Sequence, residues 1–328
     1  MKKYACLLVL ALLLNGCDDG DLTVDTIDFD SVQTASTCDK TTNALIYKLK
    51  SQESLLIQLP QNTIENNPSD VGSPRQYTID NTNYRVVYRA YNGAVATANI
   101  CGVIPPSTPV VTAEWQASGG IIEIVTTQDL GDPSATDGGT RIRGYNHVIT
   151  FKNITYQKPG TPQTYVEEDF GTFRTDPENL NFTFAETAKQ CSDKKNVYNF
   201  NTTSYMMVDN LDPTLIVKEE GTRSANITTT TNKLAYTTFK SGTGTLTESY
   251  FCQSPVPSAP NVFGTWESSP ATQGTIEVTT TKAGTTNIIY THTITLKNVT
   301  LKKDNSNFYL ANSFLLGTIT ETSTAQKK

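Results

Sequence analysis

Short runs of alternating apolar and polar residues recur through most of the chain. In residues 120–127, for example, Ile122 and Ile124 flank Glu123, and Gly, Pro, Asn or Asp bound many of these runs. A period of two places successive side chains on opposite faces of a sheet. The chain is also rich in Thr, Val, Ile and Tyr, which favour strands. We therefore expect an all-β protein.

The second half of the chain repeats the first. The clearest match joins residues 147–155, HVITFKNIT, to residues 292–300, HTITLKNVT. Other matched pairs, in the same order in both halves, are Cys38 and Cys191, Cys101 and Cys252, and Trp115 and Trp266. A repeat of about 150 residues is far longer than those of solenoids and propellers, so each copy should have its own core.

The duplication sets the predicted domain organisation. We expect one β domain over residues 27–176, called unit 1 below, and a second over residues 177–322, called unit 2, with a frayed tail at residues 323–328. Each unit should contain some seven to nine strands, folded as a β-sandwich-like domain or as a barrel. The pattern does not distinguish these two architectures.

The amino terminus has the features of an export signal. Lys2 and Lys3 precede an apolar run from Ala5 to Leu14 that is too short to span a bilayer permanently. The run ends in Leu14-Asn15-Gly16-Cys17, which resembles the lipobox of bacterial lipoproteins. This resemblance implies a signal peptide over residues 1–16 and a diacylated Cys17 that begins the mature chain. Residues 17–26 would then be a lipid-anchored tether.

Two short motifs after Cys17 bear on localisation and modification. Asp18-Asp19-Gly20-Asp21 resembles the acidic tag that sends some lipoproteins to the outer face of the outer membrane. We therefore expect display at the cell surface, with the periplasmic side as the alternative. Asp25-Thr26-Ile27 and Asp30-Ser31-Val32 resemble a bacterial O-glycosylation sequence, which makes Thr26 and Ser31 candidate acceptors. Alternatively, this segment is the first strand of unit 1.

Four of the six cysteines remain for the folded part, since Cys6 leaves with the signal and Cys17 carries lipid. Four cysteines allow three pairings, and export favours their oxidation. The duplication favours one disulfide within each unit. The alternatives are four free buried thiols or a metal site, although the spacing differs from that of metal-binding cysteines. The predicted pairs are Cys38 with Cys101 and Cys191 with Cys252.

Two pairs of matched residues are candidates for contact with a ligand. His147 and His292 share strand parity with the apolar residues that follow them, so they should face the interior, with a ligand or metal contact as the alternative. Trp115 and Trp266 follow proline-rich bridges and are expected to be core anchors, with sugar stacking as the alternative. The apolar parity changes after the matched Lys-Asn pairs of both copies, which predicts a β-bulge in each.

Charge and motifs limit the function classes. The net charge is −6, loss of the leader makes it two units more negative, and no run of Lys or Arg is present, so nucleic acid is not expected as a partner. No nucleophile elbow, metalloprotease helix or phosphate loop is present, and we expect neither enzyme activity nor a cofactor or metal. The layout resembles that of outer-membrane lipoproteins that hold polysaccharide beside a transporter. We expect a binding or adhesion module for a glycan or a protein. The alternatives are an envelope assembly component and, more remotely, a glycan-active enzyme with paired carboxylates.

Overall fold

The computed structural model describes residues 26–253, 255–272 and 274–324. The chain is 52% strand and 4% helix, and it forms two curled sheets, each a half-barrel with one disulfide. One sheet lies on each side of Asp176. This confirms the predicted all-β fold and the tandem duplication. No helix in the described part of the chain is long and apolar enough to cross a membrane.

The first sheet has eight strands in the order β1-β2-β3-β5-β6-β7-β8, with β4 paired to residues 121–124 of β6. All of these pairs are antiparallel, and a parallel bridge between Thr34 and Thr172 joins the two ends of the curled sheet. The strands are β1 Ser36–Thr37, β2 Leu45–Lys50, β3 Glu53–Gln58, β4 Arg75–Thr78, β5 Arg85–Tyr91, β6 Val111–Leu130, β7 Ile142–Gln157 and β8 Gln163–Thr175.

The second sheet repeats this plan with nine strands in the order β12-β15-β16-β14-β13-β11-β10-β9, and β17 pairs with β16. Strands β14 and β15 together correspond to β6, and a parallel bridge between Thr187 and Thr318 again joins the ends. Strand β17 runs two residues into the tail predicted to fray. The strands are β9 Lys189–Gln190, β10 Asn196–Phe200, β11 Ser204–Asp209, β12 Gly221–Asn226, β13 Lys233–Phe239, β14 Val262–Ser268, β15 Thr275–Ala283, β16 Asn287–Lys303 and β17 Ser306–Thr324.

The inward residues of the long strands build a separate core in each unit. Trp115 and Trp266 lie in these cores, 5% and 2% exposed, and both histidines are completely buried. These positions confirm the expectation that all four side chains face the interior. The segment before β1 contributes Phe29 to the first core in the same way. Residues 27–35 therefore pack as part of unit 1.

The predicted parity change is present in both units. Asn153 and Asn298 have φ values of 51° and 53°, a left-handed conformation that reverses the direction of the following side chain. Opposite Asn153, the β6–β7 register shifts between Gly119 and Ile121. A Cβ added at Gly120 would lie 2.8 Å from the Cα of Ile154, so this close approach requires glycine.

Each disulfide fixes a short helix over the outer face of its sheet. In unit 1, helix α1 (Thr97–Cys101) places Ile100 against Tyr47, Leu56 and Val87, a small apolar cluster outside the main core. In unit 2, a single 3₁₀ turn at Glu248–Tyr250 covers a cluster of aromatic side chains. The disulfides are Cys38–Cys101 and Cys191–Cys252, with Cα atoms 5.2 and 5.5 Å apart. Both predicted pairings are confirmed.

The two units are stacked head to tail. We call the end of each unit where β8 or β17 finishes its upper end, and the end at the β7–β8 or β16–β17 turn its lower end. The lower end of unit 2 rests on the upper end of unit 1. The guanidinium of Arg141, in the loop between β6 and β7, lies 4.9 Å from the ring centre of Phe182 and 5.6 Å from that of Phe308. Its Nη1 also donates to the carbonyl of Leu310 at 3.1 Å.

Candidate functional site

A cleft with a volume of about 720 Å³ lies at the upper end of unit 1, where unit 2 meets it. This size suits a ligand of several rings, and such sites occur preferentially at domain interfaces. Its walls come from the β1–β2 loop, the loop after β3 and the end of β8, together with Phe263 on β14 of unit 2. Both units therefore contribute to the cleft.

Polar groups of several kinds line the cleft. Lys40 and Asp176 form an ion pair at its mouth, with 3.4 Å between Nζ and Oδ2 and side chains 83% and 77% exposed. A pair this exposed contributes little to stability, so both groups can turn to a ligand at small cost. The Oδ1 atom of Asn43 is buried and has no hydrogen-bond partner among the described residues. Asn62 and Asn66 add further amides.

The apolar part of the lining is small and local. Phe173 is buried in the floor, and Ile64 packs against the core beneath it. Phe263 is 55% exposed, and it is the one aromatic side chain among the described residues that is more than a third exposed. An exposed ring beside amides and charged groups can stack on an apolar ring face while the amides bond its polar edge.

A buried histidine lies beneath the cleft. The Nδ1 atom of His147 is 2.9 Å from Thr126 Oγ1, and its Nε2 atom is 2.9 Å from Thr175 Oγ1. Thr175 Oγ1 then donates to Oδ1 of Asn66 at 2.5 Å. Burial, with a smaller contribution from Arg75, lowers the pKa of His147 to about 4. The ring is therefore neutral at pH 7 and fully hydrogen-bonded.

Two smaller pockets continue the cleft between the units, with volumes of about 240 and 320 Å³. Both are lined by Glu178, which follows the inter-unit linker, and by Trp266. The carboxylate of Glu178 accepts from Lys303 Nζ at 3.0 Å and from the indole Nε1 at 3.4 Å, and it also accepts from Thr238. Glu178 and all three partners belong to unit 2, so this carboxylate fixes the first residues of unit 2 to their own sheet.

Unit 2 carries a smaller version of the cleft at its own upper end. The corresponding pocket has a volume of about 290 Å³. Lys194 Nζ pairs with Glu321 Oε1 at 2.6 Å, and Lys218 approaches the same carboxylate at 3.8 Å. His147 pairs with Phe173 in unit 1, and His292 pairs with Ile319 in unit 2. Thr175 and Glu321 each lie two residues further along the chain, so Glu321 occupies in unit 2 the position that Thr175 has in unit 1. The wider site is therefore the one between the units.

A second polar cluster lies away from the cleft, in the lower part of unit 1. The buried Lys48 donates from Nζ to the carbonyl of Phe29 at 3.0 Å, and Tyr156 donates to Glu168 Oε2 at 3.0 Å. Burial raises the pKa of Glu168 to about 7, against a smaller opposing effect from Tyr156 and Lys48. None of these side chains is part of the cleft lining.

The lipidation and glycosylation residues predicted from the sequence are not part of the cleft lining that the structure describes. Cys17 and the acidic tag at residues 18–21 lie outside the described residues. Thr26 and Ser31 are exposed, as a modified side chain must be, and the neighbouring Ile27 receives a hydrogen bond from Tyr165 at the lower end. Thr26, Ile27 and Ser31 are not among the residues that line the cleft. No group of three or more Asp, Glu, His or Cys within residues 26–253, 255–272 and 274–324 is placed to hold a metal ion.

The cleft residues themselves were not found from the sequence. Phe263 corresponds to Thr112 in the other copy, so the duplication gives it no counterpart. Asn43, Asn62 and Asn66 lie in loops without a periodic pattern. Comparison with known proteins finds no protein family, curated protein or solved structure that matches this chain.

Proposed function

We propose that this chain is an exported lipoprotein, anchored to the outer membrane through Cys17 and displayed at the cell surface, that binds a glycan in the cleft between its two units. The cleft of about 720 Å³ is the observation that carries this proposal. Amide, hydroxyl, ammonium and carboxylate groups surround one exposed aromatic ring there. Sugars present hydroxyl edges and apolar ring faces, which this combination of groups fits.

The position of the cleft also supports the proposal. The chain enters unit 1 at its lower end, where Tyr165 donates to the carbonyl of Ile27 at 3.1 Å. Eight residues between Cys17 and Thr26 can span at most about 30 Å. The lower end would thus face the membrane, and the cleft at the upper end would face away from it.

The residues of this cleft favour binding of a glycan over hydrolysis of its glycosidic bonds. Asp176 is the one carboxylate among the described residues that line the 720 Å³ cleft, and Glu178 in the adjoining pocket is bonded to Lys303, Trp266 and Thr238. Hydrolysis of glycosidic bonds usually requires two facing carboxyl groups. A single carboxylate that is paired with Lys40 can recognise a sugar hydroxyl but does not provide the second group.

A specific observation favours a protein ligand as the second candidate. Val103 and Ile104, in the proline-rich bridge after α1, are 102% and 88% exposed. Exposed apolar side chains grouped in this way are typical of protein contact surfaces. The glycan and protein candidates therefore use different surfaces, and variants can separate them.

Phe263→Ala is expected to weaken glycan binding about tenfold, since a central aromatic contact usually contributes more than about 1 kcal/mol. Ligands would first be found by the thermal stabilisation of residues 18–328 against a panel of polysaccharides, and affinities would then be measured by calorimetry. Ile104→Ala is the matched control and should bind normally. If Ile104→Ala weakens binding and Phe263→Ala does not, the site is on the bridge. If no glycan stabilises the protein, the glycan proposal is wrong.

Cys17→Ser is expected to abolish incorporation of a radiolabelled fatty acid and to release the protein from the membrane fraction. Cys6→Ser, within the signal, is the matched control and should incorporate label normally. Equal labelling of both variants would contradict the anchor. Digestion of unit 2 by protease added to intact cells would show surface display, and complete protection would place the protein on the periplasmic side.

A further inference from the structure

The outer face of the second sheet carries a pocket of about 240 Å³, which we call the outer pocket. Its floor contains Met207 of β11 and Ala235 of β13, whose side chains are partly exposed and alternate with the core residues of these strands. Glu267 of β14 forms one side. The outer pocket and the cleft share no lining residue, so they are separate sites.

Strand register identifies the equivalent place in unit 1. In each unit, one row of paired residues crosses three strands at this point. The row is Leu56, Val87 and Gln116 in unit 1 and Met207, Ala235 and Glu267 in unit 2. A matched tryptophan immediately precedes the third residue of each row, which fixes the correspondence. The floor of the outer pocket therefore corresponds to Leu56 and Val87.

A short helix covers this row in unit 1. Ile100 of α1 packs against the cluster that contains Leu56 and Val87, and these two side chains are only 6% and 8% exposed. The helix reaches this place because Cys101 is bonded to Cys38. In unit 1, this surface is thus filled by an aliphatic side chain that a separate segment of polypeptide brings to it.

The corresponding segment of unit 2 covers a different part of the sheet. Phe251, just after the 3₁₀ turn, stacks on Tyr198 with 4.1 Å between the ring centres. Met207 and Ala235 are left partly exposed, and the alanine is smaller than the valine of unit 1. Unit 2 therefore has an open pocket in the place that Ile100 fills in unit 1.

The size of the outer pocket indicates what it can hold. Sites for whole small molecules usually exceed about 300 Å³, so this pocket suits one side chain of a partner better than a free ligand. The flexible thioether of Met207 adapts easily to an incoming apolar group. The outer pocket is therefore a receptor for an aliphatic side chain, as its counterpart is in unit 1.

The chain itself carries an aliphatic side chain that has no cover. Ile104 lies three residues after the end of α1 and is 88% exposed, so it does not fill the outer pocket of its own chain. The bridge around it, residues 102–110, has three prolines and no charged residue. Prolines restrict the backbone, which reduces the entropy lost on binding. An uncharged bridge also meets no repulsion from the charged residues at the rim, which are Asp209, Lys233 and Glu267.

We propose that Ile104 of one molecule enters the outer pocket of a second molecule, which returns the same contact, so that the chain forms a two-fold dimer. A two-fold dimer makes each such contact twice, once in each direction. The inference rests on the bridge as the protein-contact surface named above and makes the partner a second copy of this chain. It does not depend on what the cleft binds.

Sedimentation of residues 18–328 over a range of concentrations measures the dimer directly. Ile104→Ser removes both contacts, and a loss of about tenfold for each should weaken association about a hundredfold. Ala235→Leu fills the outer pocket from within and should weaken association similarly. Val71→Ser, at a valine that is 104% exposed outside both surfaces, is the matched control and should leave the dimer unchanged.

A disulfide between two different chains tests the contact itself. One chain carries Ile104→Cys and the other Ala235→Cys, and they can be linked only where their Cα atoms come within about 7 Å. Mixing the two chains under mild oxidation should give a cross-linked mixed dimer. Ile104→Cys mixed with a chain carrying Val166→Cys, at a side chain that is 77% exposed, is the control and should give none.

Three results would overturn the proposal. They are a chain that stays monomeric at about 1 mM, a dimer that keeps its affinity in Ile104→Ser, and a mixed disulfide that forms equally well with Val166→Cys. Ile104→Ser changes an exposed side chain, so it decides the question even if Ala235→Leu does not fold. Loss of the dimer with unchanged glycan binding would show that the dimer contact and the cleft are separate sites.

Discussion

Replacing Cys38 and Cys101 together with serine is expected to lower the free energy of unfolding of unit 1 by about 4 kcal/mol. This disulfide closes a loop of 63 residues, and a loop of that length adds about this much chain entropy to the unfolded state when it is opened. Helix α1 has five residues and is not stable alone. It should therefore leave the outer face and expose Tyr47, Leu56 and Val87. Urea unfolding and binding of a hydrophobic dye would measure both effects.

The Cys191 and Cys252 pair is the internal control for this result. It closes a nearly equal loop of 61 residues, so its removal should destabilise unit 2 by a similar amount. Loss of less than about 1 kcal/mol in either unit would show that the helix is held by packing instead of by the covalent link.

The stability of unit 1 is expected to depend on two buried ionisable groups with opposite effects. His147 has a lowered pKa of about 4 and Glu168 a raised pKa of about 7. As pH falls from 7 to 5, the unfolded state binds a proton at His147 before the native state does, which destabilises the fold by about 2 kcal/mol. Over the same range the native state binds a proton at Glu168 first, which stabilises it by about the same amount. The two effects offset each other in the parent chain.

A variant that removes one of these groups should therefore show the pH dependence of stability that the other group causes. Glu168→Gln keeps an acceptor for Tyr156 but cannot titrate, so its stability relative to the parent should fall by about 2 kcal/mol between pH 7 and pH 5. His147→Gln should show the opposite change. The measurement is the free energy of urea unfolding at both pH values. Equal pH dependence in the parent and in both variants would contradict the assignment of these pKa shifts.

Much of the fold could be predicted because the duplication tests each pattern twice. The matched cysteines selected one disulfide pairing, and the strand parity of His147 and His292 placed both rings inside. The parity change after the matched Lys-Asn pairs predicted a β-bulge in each copy, and the structure has Asn153 and Asn298 in a left-handed conformation at these points. In each case the same pattern occurs at equivalent positions of both copies, and a pattern that arose by chance in one copy would not be repeated in the other.

The candidate site could not be predicted because it arises where the copies differ. The loop between β6 and β7 carries Arg141 into unit 2, whereas the corresponding turn between β15 and β16 spans only residues 284–286. The stacking of the units, and hence the approach of Phe263 to unit 1, depends on that longer loop. Contacts between loops that are distant in the sequence produce no periodic pattern of residues, so the sequence alone does not reveal them.

The most direct test of the central claim, that the cleft between the units binds a glycan, is hydrogen exchange on residues 18–328 with and without a glycan found in the panel. We predict slower exchange in residues 60–66, 173–176 and 261–264, which come from both units and meet at the cleft. Protection confined to the bridge at residues 102–110, or to the pocket at the upper end of unit 2, would contradict the account.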